Sequence, residues 1–169
     1  MYMSNMKTRA IIVFAVFSAS SFLAGALAQE AGALKLVCTA EKEVTKVDQD
    51  GKPVVTYSDV SVALPGEVIR YTLKYEYSGA DPAEAIVITN PVPENTVYVD
   101  KSAAGKDTAI TFSIDGGKTY ATSDALKIKA ADGSERAALP EEYTNLQWRL
   151  LKKLAKGDSG TVSFKVKIK

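Results

Sequence analysis

The side chains able to do chemistry are few and scattered. There is no histidine in the 169 residues, so the commonest general base and metal-binding ring is missing. With a single cysteine, Cys38, zinc sites, Cys–His nucleophilic pairs and Ser–His–Asp triads are excluded. Carboxylate pairs and Ser–Lys pairs are allowed by composition, but no spacing singles one out. Asp48-Gln49-Asp50-Gly51 opens like a calcium loop. Calcium wants six or more oxygens, and here the glycine is misplaced and Asp59 stands where the loop's bidentate glutamate belongs. The segment reads as a hairpin turn. Asp115-Gly116-Gly117 and Gly157-Asp158-Ser159-Gly160 are likewise turns, since neither carries the phosphate-loop pattern nor opens a helical segment. No catalytic, metal or cofactor-binding residue is expected.

The aromatic and basic residues carry the remaining binding signals. Trp148 would suit a sugar-binding face, but it alternates with Leu146 and Leu150 and reads as core. Tyr71 and Tyr75 share a face with Leu73 and read the same way. Tyr77 and Tyr120 lie near strand ends and are the candidates for exposed aromatics. From Arg149 to Lys169 there are seven basic residues (Arg149, Lys152, Lys153, Lys156, Lys165, Lys167 and Lys169) against one acid, Asp158. This segment is read as a solvated strand face, with weak contact to an anionic polymer as its functional alternative. No aromatics interleave with the lysines, so nucleic acid is not an expected partner.

These residues must be positioned by strands. Val162, Phe164, Val166 and Ile168 alternate with Thr161, Ser163, Lys165 and Lys167, a period of two that makes one face apolar and one polar. Ile69, Tyr71, Leu73 and Tyr75 alternate in the same way between Leu64-Pro65-Gly66 and Ser78-Gly79-Ala80-Asp81-Pro82. Further strands are expected at Ala85–Thr89, stopped by Asn90-Pro91-Val92-Pro93, at Thr96–Val99, at Ala109–Ser113 before the Asp115-Gly116 turn, and at Leu146–Leu150. Leu34–Glu43 and Val54–Val60 flank the Asp48 turn. Leu126–Ile128 is a weaker strand signal, and Asp132–Glu142 reads as loop. About seven to nine short strands between turn residues predict an all-β, antiparallel, immunoglobulin-like sandwich.

Lys7 and Arg9 precede a mostly apolar run that ends in Ala26-Leu27-Ala28, the pattern of a secretory signal peptide cleaved after Ala28. The expected organisation is a leader at 1–28, a flexible tail at 29–33 and one sandwich domain at 34–169, in the periplasm or secreted. With the leader removed, the 21 basic residues become 19 against 20 acidic ones, and no run of about eighteen apolar residues remains to span a membrane. The lone Cys38 cannot form an intramolecular disulfide. It sits in apolar alternation and reads as a buried thiol.

Three ordered pieces resemble a family of bacterial surface repeats known as domain of unknown function eleven. They are Pro65-Gly66-Glu67-Val68-Ile69-Arg70-Tyr71-Thr72-Leu73, then Ala85–Pro93 with Thr96-Val97-Tyr98-Val99, and lastly Leu146-Gln147-Trp148-Arg149-Leu150 with Gly157–Val162. The resemblance covers Val62–Ile168. It implies an immunoglobulin-like sandwich in an exported protein and brings no catalytic motif. The function expected is therefore a non-catalytic structural or adhesive envelope module. It would contact an envelope or surface protein, with self-association among the possibilities. A glycan- or small-ligand-binding module using loop aromatics and acids is the alternative.

Overall fold

Alternating burial builds the molecule. The computed structural model describes residues 12–14, 27–129 and 133–169. In chain order its strands are β1 (Ile12–Phe14), β2 (Leu27–Ala31), β3 (Leu34–Val47), β4 (Pro53–Asp59), β5 (Val68–Tyr77), β6 (Val87–Pro91) and β7 (Thr96–Tyr98). Then come β8 (Ala104–Gly105), β9 (Thr108–Ser113), β10 (Lys127–Lys129), β11 (Glu135–Ala137), β12 (Asn145–Leu150) and β13 (Ser159–Ile168). A 3-10 turn at Pro140–Glu142 is the one helical element among the described residues. The count exceeds the seven to nine expected because two- and three-residue strands leave little trace in a period-two pattern.

The larger sheet runs β2-β3-β5-β13-β7, with β4 also beside β3 and β8 also beside β13. The smaller runs β1-β6-β12-β9, and β10 with β11 forms a separate hairpin. All pairs are antiparallel except β1 with β6. The architecture is a β-sandwich. Its seven principal strands (β3, β5, β6, β7, β9, β12 and β13) follow the immunoglobulin plan with one exchange. The constant-type order places the fifth strand between the second and fourth, and the seventh at the edge of the facing sheet. Here the seventh, β13, lies between β5 and β7, and the fifth, β9, takes the opposite edge.

Inward positions of both sheets meet in one core. Ile69, Tyr71, Leu73, Tyr75 and Tyr77 on β5 and Val162, Phe164 and Val166 on β13 are buried, as are Leu146, Trp148 and Leu150 on β12. Phe164 stacks on Tyr71 at 5.2 Å and meets Trp148 across the sheets at 5.9 Å. A second aromatic group, Tyr98, Phe112 and Tyr143, closes one end with centroids 4.7–5.7 Å apart. Each such pair adds about 0.5–1.5 kcal/mol beyond the burial of its area.

Several sequence expectations are corrected. Strand β6 continues through Asn90 and Pro91, where a stop was expected. Pro91 is tolerated because it pairs only with Asn145 of β12, while β1 reaches no further than Thr89, so its missing N–H faces an unpaired side. Asp132–Glu142, expected as loop, contains β11 and the 3-10 turn; Arg136 grips Glu142 there with two hydrogen bonds of 2.5 and 2.7 Å. Residues 29–33, expected as a loose tail, are strand and turn. Gly32, at φ 62°, is the first central residue of a two-residue turn joining Ala31 to its partner Leu34, a position that favours glycine. The expected cleavage point after Ala28 falls inside β2, and most of the expected leader lies outside the described residues.

Candidate functional site

Strand β3 is longer than the sheet that supports it. β5 covers it from Leu34 to Lys42, whereas β4 pairs with Glu41–Val47 on the other edge. The distal part of the β3–β4 hairpin therefore stands beyond the sandwich as a two-stranded ribbon. Its turn is built by Asp48, whose Oδ1 accepts the N–H groups of Asp50 and Lys52 at 2.9 and 2.8 Å. The carboxylate is thus committed to the hairpin. Among the described residues, no group of three or more His, Cys, Asp or Glu side chains could hold a metal.

The ribbon exposes apolar surface. Val47, Val54 and Val55 are 71, 41 and 48 % exposed. The edge of β4 away from β3 pairs with no strand among the described residues. Between Lys52 and Asp59 it carries no charge, so it lacks the lysines and prolines that usually block pairing along an edge; Pro53 stands only at its start.

The root of the ribbon is braced on the outer face of the large sheet. Arg70 lies 3.3 Å over the Tyr57 ring and donates to Glu41 at 2.6 Å. Lys165 pairs with Glu43 at 2.5 Å, a bond that raises the lysine's pKa. On the opposite side of the sheet, Lys42, across from the inward Ile69, pairs with Glu67 at 3.1 Å. Half-exposed ion pairs of this kind are worth about 0–1 kcal/mol each, and the cation–π contact about 0.5–1 kcal/mol. Their main effect is to fix the direction in which the ribbon leaves the sheet. Compared with family models, curated proteins and solved structures, the chain matches none.

The residues singled out in the sequence do not converge. Trp148 is fully buried, and Tyr71 and Tyr75 are core as expected. Tyr77, expected to be exposed, is 5 % exposed: the inward parity of Tyr71 and Tyr75 runs to the strand's end, and its hydroxyl donates to the Asp81 carbonyl at 2.6 Å. Tyr120 is half-buried, with a buried hydroxyl that has no hydrogen-bond partner. Cys38 is buried, and burial pushes its thiol up to about 11. The basic segment splits in two. Lys152, Lys153 and Lys156 precede β13, and Lys165, Lys167 and Lys169 lie in or just past its second half, about 20–30 Å along the strand from its start at the rise of a strand. Lys153 and Lys165 are already paired, with Glu84 and Glu43. A groove of about 360 Å³ beside β13 is lined by Tyr75, Lys106, Asp107, Lys152, Ser159 and Thr161 among others; among the described residues none of its hydroxyls is hydrogen-bonded to its acid or its lysines.

The exposed ribbon valines were not among the sequence candidates. A signal for them exists: Val54-Val55 is adjacent rather than alternating, so in a strand the two must point to opposite faces, and a one-sided core can bury only one.

Proposed function

We propose that this chain is an exported, non-catalytic contact module of the cell envelope that binds another protein by strand addition along β4. One observation carries the reading: an uncharged edge segment, Pro53–Ser58, with exposed Val54 and Val55 and, among the described residues, no strand on its outer side. Strand addition draws affinity from main-chain hydrogen bonds and specificity from alternate side chains, and β4 offers both. The leader-like N-terminus and the resemblance to exported surface repeats support an envelope setting. The scattered lysines and the buried Tyr77 make a polymer or glycan surface the weaker reading.

The test places one lysine on the edge. Val55→Lys leaves folding intact, because exposed substitutions typically shift stability by no more than about 0.5 kcal/mol. Retention of envelope protein on the immobilised chain is expected to fall about tenfold or more, since an edge lysine opposes pairing. Unchanged retention, or retention of anionic polymer alone at low salt, contradicts the reading.

A further inference from the structure

A groove follows the open side of β13. From Ser159 to Thr161 the strand pairs with β5 on one side, while β8 joins its other side only at Val162 and Ser163. The gap left there is the groove of about 360 Å³, at the small end of ligand pockets, which run from about 300 to 1,000 Å³. The N–H of Leu151 donates to the Asp107 carbonyl at 2.9 Å. That bond fastens the segment bearing Lys152 to the turn bearing Lys106 and Asp107, and all three of these charged residues line the groove.

Its polar groups are uncommitted. Tyr75 is only 3 % exposed, yet its hydroxyl has no hydrogen-bond partner among the described residues. The hydroxyl lies where a side chain on Gly160 would stand, and so opens into the groove. Burial, with Asp107 and Asp158 nearby, raises its pKa, which keeps it a proton donor at neutral pH. The Tyr77 hydroxyl, two residues on, is by contrast bonded to the Asp81 carbonyl. Among the described residues the Ser159 and Thr161 hydroxyls make no hydrogen bond, and Lys106 and Lys152 make no ion pair. Polar groups of a largely buried side chain are normally paired, so a phenol left open at a groove points to a ligand that completes it.

We propose that this groove binds a sugar acid of monosaccharide size, free or at the end of a polysaccharide. The hydroxyls of Tyr75, Ser159 and Thr161 match a ligand rich in hydroxyls rather than an apolar one. Two lysines against one aspartate leave a net charge of +1, which one carboxylate balances; a phosphate dianion would stand beside Asp107 with a charge uncompensated. Lys106 and Lys152, donors only, hold the carboxylate, and Asp107, an acceptor when ionised, takes hydroxyl hydrogens from the sugar ring. The site is a pocket for one sugar unit rather than an extended polymer surface. It lies toward the Tyr77 end of β5, away from Arg70 where the ribbon is rooted, so it goes beyond the β4 reading and does not rest on it.

Titration of the full chain with D-glucuronate, followed by amide chemical shifts, tests it. Shifts are expected at Gly105–Asp107 and Ser159–Thr161 and are expected to saturate. Tyr75→Phe and Lys152→Ala are each expected to weaken binding about tenfold, the loss of one hydrogen bond to the ligand. Their melting temperatures stay at the wild-type value, because neither group is bonded within the chain. D-glucose, the same ring without the charge, and acetate, the charge without the ring, are each expected to bind about tenfold more weakly or worse. Methyl glucuronoside separates the two sources: it binds if the groove takes the end of a polysaccharide and fails if the groove takes the free sugar. The absence of saturable shifts, glucose or acetate binding as tightly as glucuronate, or undiminished binding by Tyr75→Phe overturns the proposal. Val55→Lys leaves this binding intact, so the two readings fail separately.

Discussion

Tyr75 and Gly160 face each other directly on β5 and β13, and the phenol occupies the space where a side chain on Gly160 would stand. A Cβ at position 160 would come within 2.6 Å of the Tyr75 Cζ and 3.1 Å of its Cε1. The glycine is thus the seat of a buried ring at the entrance to the chain's last strand.

Gly160→Ala is therefore expected to destabilise the protein by about 1–3 kcal/mol, the usual cost of overpacking a filled core. Urea denaturation measures it. Pairing it with Tyr75→Val should recover much of that loss, because the ring that clashes is gone; strict additivity of the two substitutions would show that the contact is not the cause.

Asp115 gives an acid-dependent loop. Its carboxylate accepts from the Ser113 hydroxyl at 2.6 Å, the Thr119 hydroxyl at 2.6 Å, and the N–H groups of Thr119 and Lys118 at 3.0 Å. The Ser113 and Thr119 hydroxyls are the leading causes of a pKa held well below its ordinary 3.8. A lowered folded value means that the carboxylate stabilises the fold fully above the ordinary value and loses that effect as pH falls toward the folded one. Melting temperatures of wild type and Asp115→Asn should differ by a constant amount above about pH 5 and converge below about pH 4. A gap that widens on acidification contradicts this assignment.

Cys38 should be inert in the native state. Burial and a thiol pushed up to about 11 leave little thiolate at pH 8, and the thiolate is the reactive form. Reaction with an aromatic disulfide reagent is expected to follow global unfolding and to accelerate in urea. Rapid labelling of the native protein would show that the strand around Cys38 opens locally.

Much of this fold was legible as faces, and little of it as neighbours. Tyr71, Leu73, Val162, Phe164 and Trp148 alternate with polar residues, and that period alone assigns them to the core. It does not say that β13 lies between β5 and β7, because alternation identifies which side is buried and not which strand stands beside it. Pro91 suggested a stop since a proline removes a ladder bond, and only the short reach of β1 shows that no bond was required there. Tyr77 was placed outside by its position near a turn, although the parity of Tyr71 and Tyr75 already pointed inward. The overhang of β3 past β5 follows from register, a long-range property, so the exposed ribbon emerged only once the strands were paired.

The central claim is that β4 is a contact edge, and photo-crosslinking tests it most directly. A photoreactive residue is placed at Val55, on the open edge, and another at Lys74, on the outer face of the central strand β5. In the native envelope the account predicts a discrete protein adduct from position 55 and none from position 74. No adduct from 55, or equal adducts from both positions, would contradict it.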